Sequence, residues 1–142
     1  IEPSKILNMY QVKNLELNKG FSDRIKILNT FVGKNYDLSI DPREYSEITM
    51  TEQDLISEIE IKHINFLKCD IEGGEFELFS GNSKLLQISD QIGMEIHSVA
   101  GDPNTLISNI KFHGFKVIRE TWEADGSCTI IARKPQLSND RL

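Results

Sequence analysis

The chain has 142 residues, of which 39% are hydrophobic and 27% charged, as in an ordinary globular domain. No apolar run approaches the roughly 20 residues of a membrane-spanning helix, and no signal-peptide pattern is present. The net charge is −6 and no basic stripe is present, which argues against binding to the phosphates of nucleic acid. We therefore expect a cytoplasmic protein with no membrane or nucleic-acid partner.

The first third of the chain is predicted to begin at the end of a strand, Ile1–Glu2, and to hold one helix and a second strand. Ser4 suits the N-cap of a helix with apolar residues at helical spacing from Lys5 to Lys19, and Gly20 suits its end. Alternating apolar residues then favour a strand over Arg24–Gly33. The polar stretch Asn35–Met50 is interpreted as a short irregular or hairpin-like excursion.

Residues 64–79 (INFLKCDIEGGEFELF) are the most informative stretch. A short apolar run ends in acids and glycines and then continues with helical spacing. This pattern predicts a buried strand, a turn, and a helix from Gly74 to Phe79. In open α/β sheets ligands bind at the carboxyl ends of strands, so Asp70 and Glu72 lie where chemistry is expected.

The rest of the chain continues to alternate between helix and strand patterns. The remaining predicted elements are a helix from the capping box Thr51–Asp54 to about Ile59, a strand over Gln91–His97, a helix from Asp102 to Gly114, and strands over Phe115–Thr121 and Ser127–Arg133 joined by an Asp125-Gly126 turn. This order predicts an α/β fold whose mainly parallel sheet is covered by helices and has an antiparallel last strand. We expect one domain over residues 1–135, followed by a polar tail over 136–142.

Two acids and one histidine are the candidates for catalysis. Asp70 and Glu72 could orient a hydroxyl, remove its proton or ligate a divalent cation, or they could cap the helix that follows. The imidazole of His97, at a strand end, suits a general base for an alcohol, and a structural role fits equally well. Glu75 and Glu77 are interpreted as first-turn and surface acids.

Glu2 and Phe31 are candidates for holding a nucleotide-like ligand. A carboxylate at a strand end can accept hydrogen bonds from both hydroxyls of a ribose, although a surface role is the simpler explanation for Glu2. Phe31 could flank an adenine ring or belong to the core. Cys69 and Cys128 lie in apolar runs without a Cys-x-x-Cys partner, so we expect reduced, buried thiols that form no metal site.

Residues 66–75 (FLKCDIEGGE) resemble the "flKiDvEGaE" signature of the FkbM-type methyltransferases. Ile1–Pro3 resembles the Glu-Pro that follows the family's second strand, and Asn14–Asn18 resembles the N-x-x-x-N that closes its next helix. Met94–His97 resembles the acidic, His-bearing end of its fifth strand. A parallel sheet closed by a hairpin is also similar to the class I methyltransferases, so the resemblance covers nearly the whole chain.

The resemblance implies a Rossmann-like class I methyltransferase fold, with helices on both faces of a mostly parallel sheet, and S-adenosylmethionine as cofactor. It implies O-methylation of a hydroxyl on a sugar, polyketide or similar small molecule. Glu2 would hold the cofactor's ribose, Phe31 would flank its adenine, and Asp70 would lie between cofactor and acceptor. Asp70 or His97 would take the acceptor proton, with Glu72 beside them and no metal.

In this family a first strand and a glycine-containing loop, which cradles the methionine end of the cofactor, precede the segment that resembles Ile1–Pro3. This strand and loop are missing from the sequence, so we expect that the chain either binds the cofactor poorly by itself or is a truncated piece of an active protein. Two alternatives stay open. One is a truncated or degenerate module with a binding or scaffold role, and the other is a metal-assisted O-methyltransferase with Asp70 and Glu72 as oxygen ligands.

Overall fold

A computed structural model describes residues 1–33 and 44–135 of the chain. The chain divides into two compact units, Ile1–Glu60 and Ile61–Leu142, and each is described by itself. Helices and strands occur in both units, so the mixed α/β class is confirmed. The single domain over 1–135 stays a prediction, and the polar tail lies outside the described residues. None of the described helices is long and apolar enough to cross a membrane.

The described residues of the first unit form two α-helices and a small parallel sheet. Its elements are α1 (Lys5–Leu17), a 3-10 helix (Lys19–Arg24), β1 (Phe31–Val32), β2 (Thr49–Met50) and α2 (Glu52–Glu58). Strands β1 and β2 pair in parallel. The 3-10 helix runs through Gly20, where the sequence predicts that helical structure ends.

Local capping determines where both α-helices of this unit begin. The Oγ of Ser4 accepts a hydrogen bond from the Leu7 N–H at 3.3 Å. Thr51 and Asp54 form a reciprocal capping box, with the Asp54 N–H donating to Thr51 Oγ1 at 3.1 Å and the Thr51 N–H donating to Asp54 Oδ2 at 3.0 Å. These bonds satisfy backbone donors that a helix start leaves unpaired, and they confirm both predicted starts.

The strand predicted over Arg24–Gly33 is wrong in length, because only β1 joins a ladder. The residues just before β1 bond to other parts of the first unit rather than to a neighbouring strand. Asn29 Nδ2 donates to the carbonyl oxygen of Glu2 at 2.8 Å, and Ser46 Oγ donates to the carbonyl oxygen of Asn29 at 2.8 Å. The excursion predicted over Asn35–Met50 lies partly outside the described residues and ends in β2.

The second unit is a four-stranded sheet with three short α-helices. Its strands are β3 (Leu67–Cys69), β4 (Gln91–Ile96), β5 (Lys116–Trp122) and β6 (Cys128–Arg133), and its helices are α3 (Glu75–Phe79), α4 (Lys84–Ile88) and α5 (Pro103–Phe112). The strand order is β3-β4-β6-β5. Strands β3 and β4 are parallel, whereas β6 is antiparallel to both of its neighbours. The sheet is therefore mixed, with β3, β4 and β5 running in one direction and β6 in the other, and the predicted antiparallel last strand is confirmed.

Alternating residues of β4 and β6 build the centre of the core in this unit. The buried partners across the two strands are Ile92 with Ala132, Met94 with Ile130, and Ile96 with Cys128. Burial of such an aliphatic side chain contributes about 1.5–3 kcal/mol. A one-residue slip would expose this entire set, so the register of β4 is strongly specified. That register determines the position at which His97 leaves the sheet.

The short helix α4 is not predicted by the sequence pattern. It has five residues, too few to show a helical period, and it begins at the N-cap Ser83, whose Oγ accepts a hydrogen bond from the Leu86 N–H at 3.2 Å. Leu85 and Leu86 are both buried, so packing stabilises the helix. By contrast, α5 begins after the N-cap Asp102, as predicted.

Candidate active site

Two parallel strands end side by side in the second unit. In the ladder between β3 and β4, Cys69 lies opposite Met94. Asp70 directly follows β3, and His97 directly follows β4. Parallel strands bring their carboxyl ends to one edge of a sheet, which is where α/β proteins bind ligands. The structure therefore brings these two predicted residues to the same edge.

The turn after β3 carries the second predicted acid. Glu72 has a φ of 55°, which is uncommon for a residue with a β-carbon, and Gly73 has a φ of 103°. A β-carbon at Gly73 would lie 2.8 Å from the β-carbon of Ala100. The turn after β3 can therefore lie against the segment after β4 because residue 73 is glycine. The Glu72 side chain is 86% exposed and points into solvent-accessible space.

Glu75 is a residue of the candidate site that was not predicted from the sequence pattern. Its side chain is fully buried, which makes the predicted surface position wrong, whereas Glu77 is exposed as expected. Its Oε2 accepts a hydrogen bond from the Gly73 N–H at 2.7 Å, and its Oε1 accepts one from the His97 N–H at 2.9 Å. One carboxylate thus joins both loops. A signal was present, because Glu75 lies four residues before the buried Phe79 and so on the same helix face.

His97 is held by this buried carboxylate. Its Nδ1 lies 2.5 Å from Oε1 of Glu75, so Nδ1 is assigned as the donor, and its Nε2 lies 3.5 Å from Oε2 of Glu72 and 3.9 Å from Oε1 of Glu95. Burial by itself would lower the pKa of His97. The hydrogen bond and charge of Glu75, followed by the charges of Glu72 and Glu95, outweigh burial and raise the pKa above its ordinary value.

Asp70 completes a cluster of three metal-ligand-type side chains, Asp70, Glu72 and His97, which we call the acid–histidine cluster. One ligand-type atom of each lies within 4.8 Å of those of the other two. Asp70 Oδ2 also forms an ion pair with Lys68 Nζ at 2.7 Å, and the Asp70 side chain is one-third exposed. The cluster can accept a proton from a hydroxyl or hold a cation.

The β5–β6 turn supports the segment that follows His97. The Ser98 N–H donates to Ser127 Oγ at 3.2 Å, and Ser98 Oγ donates to the carbonyl oxygen of Asp125 at 2.8 Å. Asp125 in turn accepts a hydrogen bond from the Ser127 N–H, which is the largest cause of its lowered pKa. The predicted Asp125-Gly126 turn is therefore bonded to Ser98, the residue that follows His97 of the acid–histidine cluster.

The thiol of Cys69, which directly precedes Asp70, is expected to be unreactive. Cys69 is buried, and burial raises its pKa to about 12, with further increases from the charges of Glu75 and Asp70 and a decrease from Lys68. The neutral thiol is a weak nucleophile and a weak metal ligand. Cys69 and Cys128 are both free and buried, as predicted.

Glu2 and Phe31 belong to the first unit, and their roles toward a cofactor stay predictions. The Glu2 carboxylate is part-buried, and its Oε1 accepts a hydrogen bond from the Ser4 N–H at 2.7 Å. Among the described residues its Oε2 accepts no hydrogen bond, so this oxygen can accept one from a ligand hydroxyl. Phe31 is part-buried and stacks on Tyr45, with 6.3 Å between ring centroids.

A comparison with protein-family models relates the sequence of this chain to a known family. The model of the methyltransferase FkbM domain matches residues 9–117, more than three quarters of the chain. The chain belongs to this family. The FkbM resemblance of the sequence is therefore confirmed, and the protein is a methyltransferase by family. No curated protein matches the chain at the level that indicates a relative.

The matched region contains the whole acid–histidine cluster and the buried Glu75. It does not contain Glu2, nor β6, which supplies half of the central core. The residues that match the FkbM domain therefore include all the clustered carboxylates. This placement makes the carboxyl edge of β3 and β4 the candidate active site.

Proposed function

We propose that this FkbM-domain protein is an S-adenosylmethionine-dependent O-methyltransferase that acts on a hydroxyl of a sugar, polyketide or similar small molecule. The observation that carries the proposal is the acid–histidine cluster, which lies at the carboxyl ends of the parallel strands β3 and β4. The position of β6 between β4 and β5 supports a Rossmann-like class I sheet that ends in a hairpin. A scaffold role without activity accounts less well for a histidine held by a buried carboxylate.

The cofactor, when bound, would supply an electrophilic methyl group: the bond from the acceptor oxygen to the methyl carbon forms as the carbon–sulfur bond breaks, so the protein must hold oxygen, carbon and sulfur in line. In this proposal Glu2 binds the ribose, because its carboxylate has one oxygen that can accept a hydroxyl hydrogen bond. Phe31 provides an apolar surface beside the adenine. Neither residue takes part in proton transfer.

The proton of the acceptor hydroxyl goes to His97 or to Asp70. Because Nδ1 of His97 donates to Glu75, the neutral ring carries its lone pair on Nε2, which faces the cluster. The buried charge of Glu75 then stabilises the imidazolium that forms. Asp70 Oδ2 is engaged in an ion pair with Lys68 Nζ at 2.7 Å, so this oxygen is less available to an acceptor hydroxyl. The geometry therefore favours His97.

Titration calorimetry with S-adenosylmethionine tests the cofactor assignment, both on this chain and on a chain extended at its N-terminus with the native sequence. We expect saturable one-to-one binding to at least the extended chain, and weaker binding to its Glu2→Gln variant. If neither form binds the cofactor, the enzyme proposal fails and the scaffold alternative replaces it.

A methyl-transfer assay over a panel of hydroxylated acceptors tests the site. Loss of a candidate general acid–base group typically costs 10²–10⁴-fold in rate. We expect a loss of this size for His97→Gln and unchanged activity for the control Glu123→Gln, an exposed acid in the β5–β6 turn. If the double variant Asp70→Ala/Glu72→Ala keeps full activity, the cluster is not the active site.

A further inference from the structure

We infer that Asp70, Glu72 and His97 form a binding site for one divalent transition-metal cation, with Mn²⁺ as its representative. Two carboxylates supply oxygen ligands and one imidazole supplies nitrogen, a donor set that suits Mn²⁺, Fe²⁺ or Zn²⁺. Three protein ligands leave further coordination positions open for an acceptor hydroxyl. The inference deepens the proposed function, and its catalytic consequence rests on that function, whereas cation binding does not.

The distances within the cluster fit a shared ion. Metal–ligand bonds to histidine and carboxylate are about 2.1 Å long, so two ligand atoms 3.5 Å apart subtend about 110° at the ion. This is the separation of His97 Nε2 and Glu72 Oε2. Two ligands of one ion lie at most about 4.2 Å apart, and the ligand atoms of the cluster all lie within 4.8 Å of one another, so at most a small contraction brings them to one ion. The exposed Glu72 side chain is free to rotate inward.

Glu75 supplies the outer support that metal-binding histidines require. A ligating histidine almost always donates its second ring nitrogen to a carboxylate or carbonyl, which orients the ring. His97 Nδ1 is held by the fully buried Glu75, and Nε2 faces Glu72. The imidazole is thus oriented in advance, with its coordinating nitrogen toward the two carboxylates.

The local charge also favours a cation. Three carboxylates lie within 3.9 Å of the His97 ring nitrogens, those of Glu72, Glu75 and Glu95, and Asp70 adds a fourth to the cluster. Among the ion pairs of the described residues, Lys68 is the one lysine or arginine joined to these acids. Its side chain is 64% exposed, so it can leave Asp70 when an ion binds.

A cation here would activate the acceptor differently from a side-chain base. A hydroxyl oxygen bound to a divalent cation loses its proton more readily because the cation stabilises the alkoxide. The proton passes to solvent, and the oxygen keeps the electron pair that forms the new bond to the methyl carbon while the carbon–sulfur bond of the donor breaks and its electron pair stays on sulfur. The ion occupies Nε2 of His97, so metal-bound and metal-free protein use this nitrogen in different ways.

Electron paramagnetic resonance during titration with Mn²⁺, without any cofactor, measures binding directly on the whole chain. We expect one ion per chain with a dissociation constant below about 1 mM, the weak end of protein sites for divalent cations. We also expect an electron spin-echo signal from a coordinated imidazole nitrogen. Binding that is absent, or that lacks the nitrogen signal, overturns the inference.

Four Glu or Lys variants make the test specific. Glu72→Gln removes an exposed ligand and should weaken binding at least tenfold, and Glu75→Gln should weaken it 10- to 100-fold through the orientation of His97. Lys68→Gln removes a competing positive charge about 5 Å from the ion and should tighten binding about tenfold. Glu123→Gln should change nothing.

The outcomes separate this inference from the proposed function. Mn²⁺ binding with these opposite variant effects, but without cofactor binding, supports the metal site and removes the methyltransferase proposal. If the chain binds the cofactor and transfers methyl groups in the presence of a chelator, and does not bind Mn²⁺, the methyltransferase proposal is supported and the metal site is removed. Equal Mn²⁺ affinity in Glu72→Gln, Lys68→Gln and the parent chain shows non-specific binding and contradicts the inference.

Discussion

The substitution Glu75→Gln tests the buried carboxylate that joins the two loops of the candidate site. Glu75 accepts hydrogen bonds from the Gly73 N–H at 2.7 Å and the His97 N–H at 2.9 Å, and it contacts His97 Nδ1 at 2.5 Å. Glutamine has nearly the same shape but only one acceptor oxygen. Its amide group must therefore face a donor at one of the two positions.

The expected cost follows from these contacts. A buried donor left unsatisfied costs about 1–3 kcal/mol. The hydrogen bonds that remain become weaker because their acceptor is no longer charged, and this weakening costs about 1 kcal/mol in total. We therefore expect Glu75→Gln to lower the free energy of unfolding by about 3 kcal/mol. Typical single domains have 5–15 kcal/mol, so the variant should still fold.

Urea unfolding followed by tryptophan fluorescence is a suitable assay. Trp122 is the chain's single tryptophan and lies in β5, so its emission reports on the second unit. A loss of about 3 kcal/mol should lower the urea midpoint by about 1–2 M. The control Glu123→Gln should shift it by no more than about 0.5 kcal/mol, as exposed substitutions do. If Glu75→Gln matches this control, the carboxylate is not buried and paired as described.

Three further predictions concern the loops and helix starts of the second unit. Gly73→Ala should destabilise the second unit through the positive φ of residue 73 and through a 2.8 Å contact of the new β-carbon with Ala100. Adding Ala100→Gly should restore the part of the stability that is lost to this contact. If the double variant is no more stable in urea than Gly73→Ala alone, the contact is contradicted. Cys69, with a pKa of about 12 because it is buried, should resist iodoacetamide at pH 8 until urea is added, and rapid native labelling would refute this burial. Hydrogen bonding from Thr105 lowers the pKa of Asp102 from 3.8, so the stabilising effect of the Asp102 carboxylate is present above pH 3.8 and is lost as the pH falls through the lowered pKa. The difference in unfolding free energy between the parent chain and Asp102→Ala should therefore shrink at low pH. A difference that stays constant down to pH 2 would contradict this prediction.

Features that depend on a few consecutive residues follow from the sequence. The N-caps Ser4, Thr51 and Asp102 and the Asp125-Gly126 turn act through side chains that bond to backbone groups within three residues. The family membership also follows, because the family model recognises residue types along residues 9–117. No tertiary information is required for any of these.

Features that depend on partners distant in sequence do not follow from it. The strand predicted over Arg24–Gly33 is short because backbone groups before β1 bond outside a ladder: the Leu28 carbonyl accepts from the Glu2 N–H, and the Asn29 carbonyl accepts from Ser46 Oγ. Helix α4 forms because Leu85 and Leu86 are buried in the core of their unit, although its five residues are too few to show a period.

The candidate site combines both kinds of information. By itself the sequence determined that Asp70 and Glu72 follow one strand and that His97 follows another, because apolar runs and the turn residues after them are local patterns. Only the tertiary structure decided that they meet, because the parallel pairing of β3 with β4 places both strand ends at one edge. It also decided that Glu75 is buried, since the donors that satisfy its carboxylate include His97, 22 residues away in the chain.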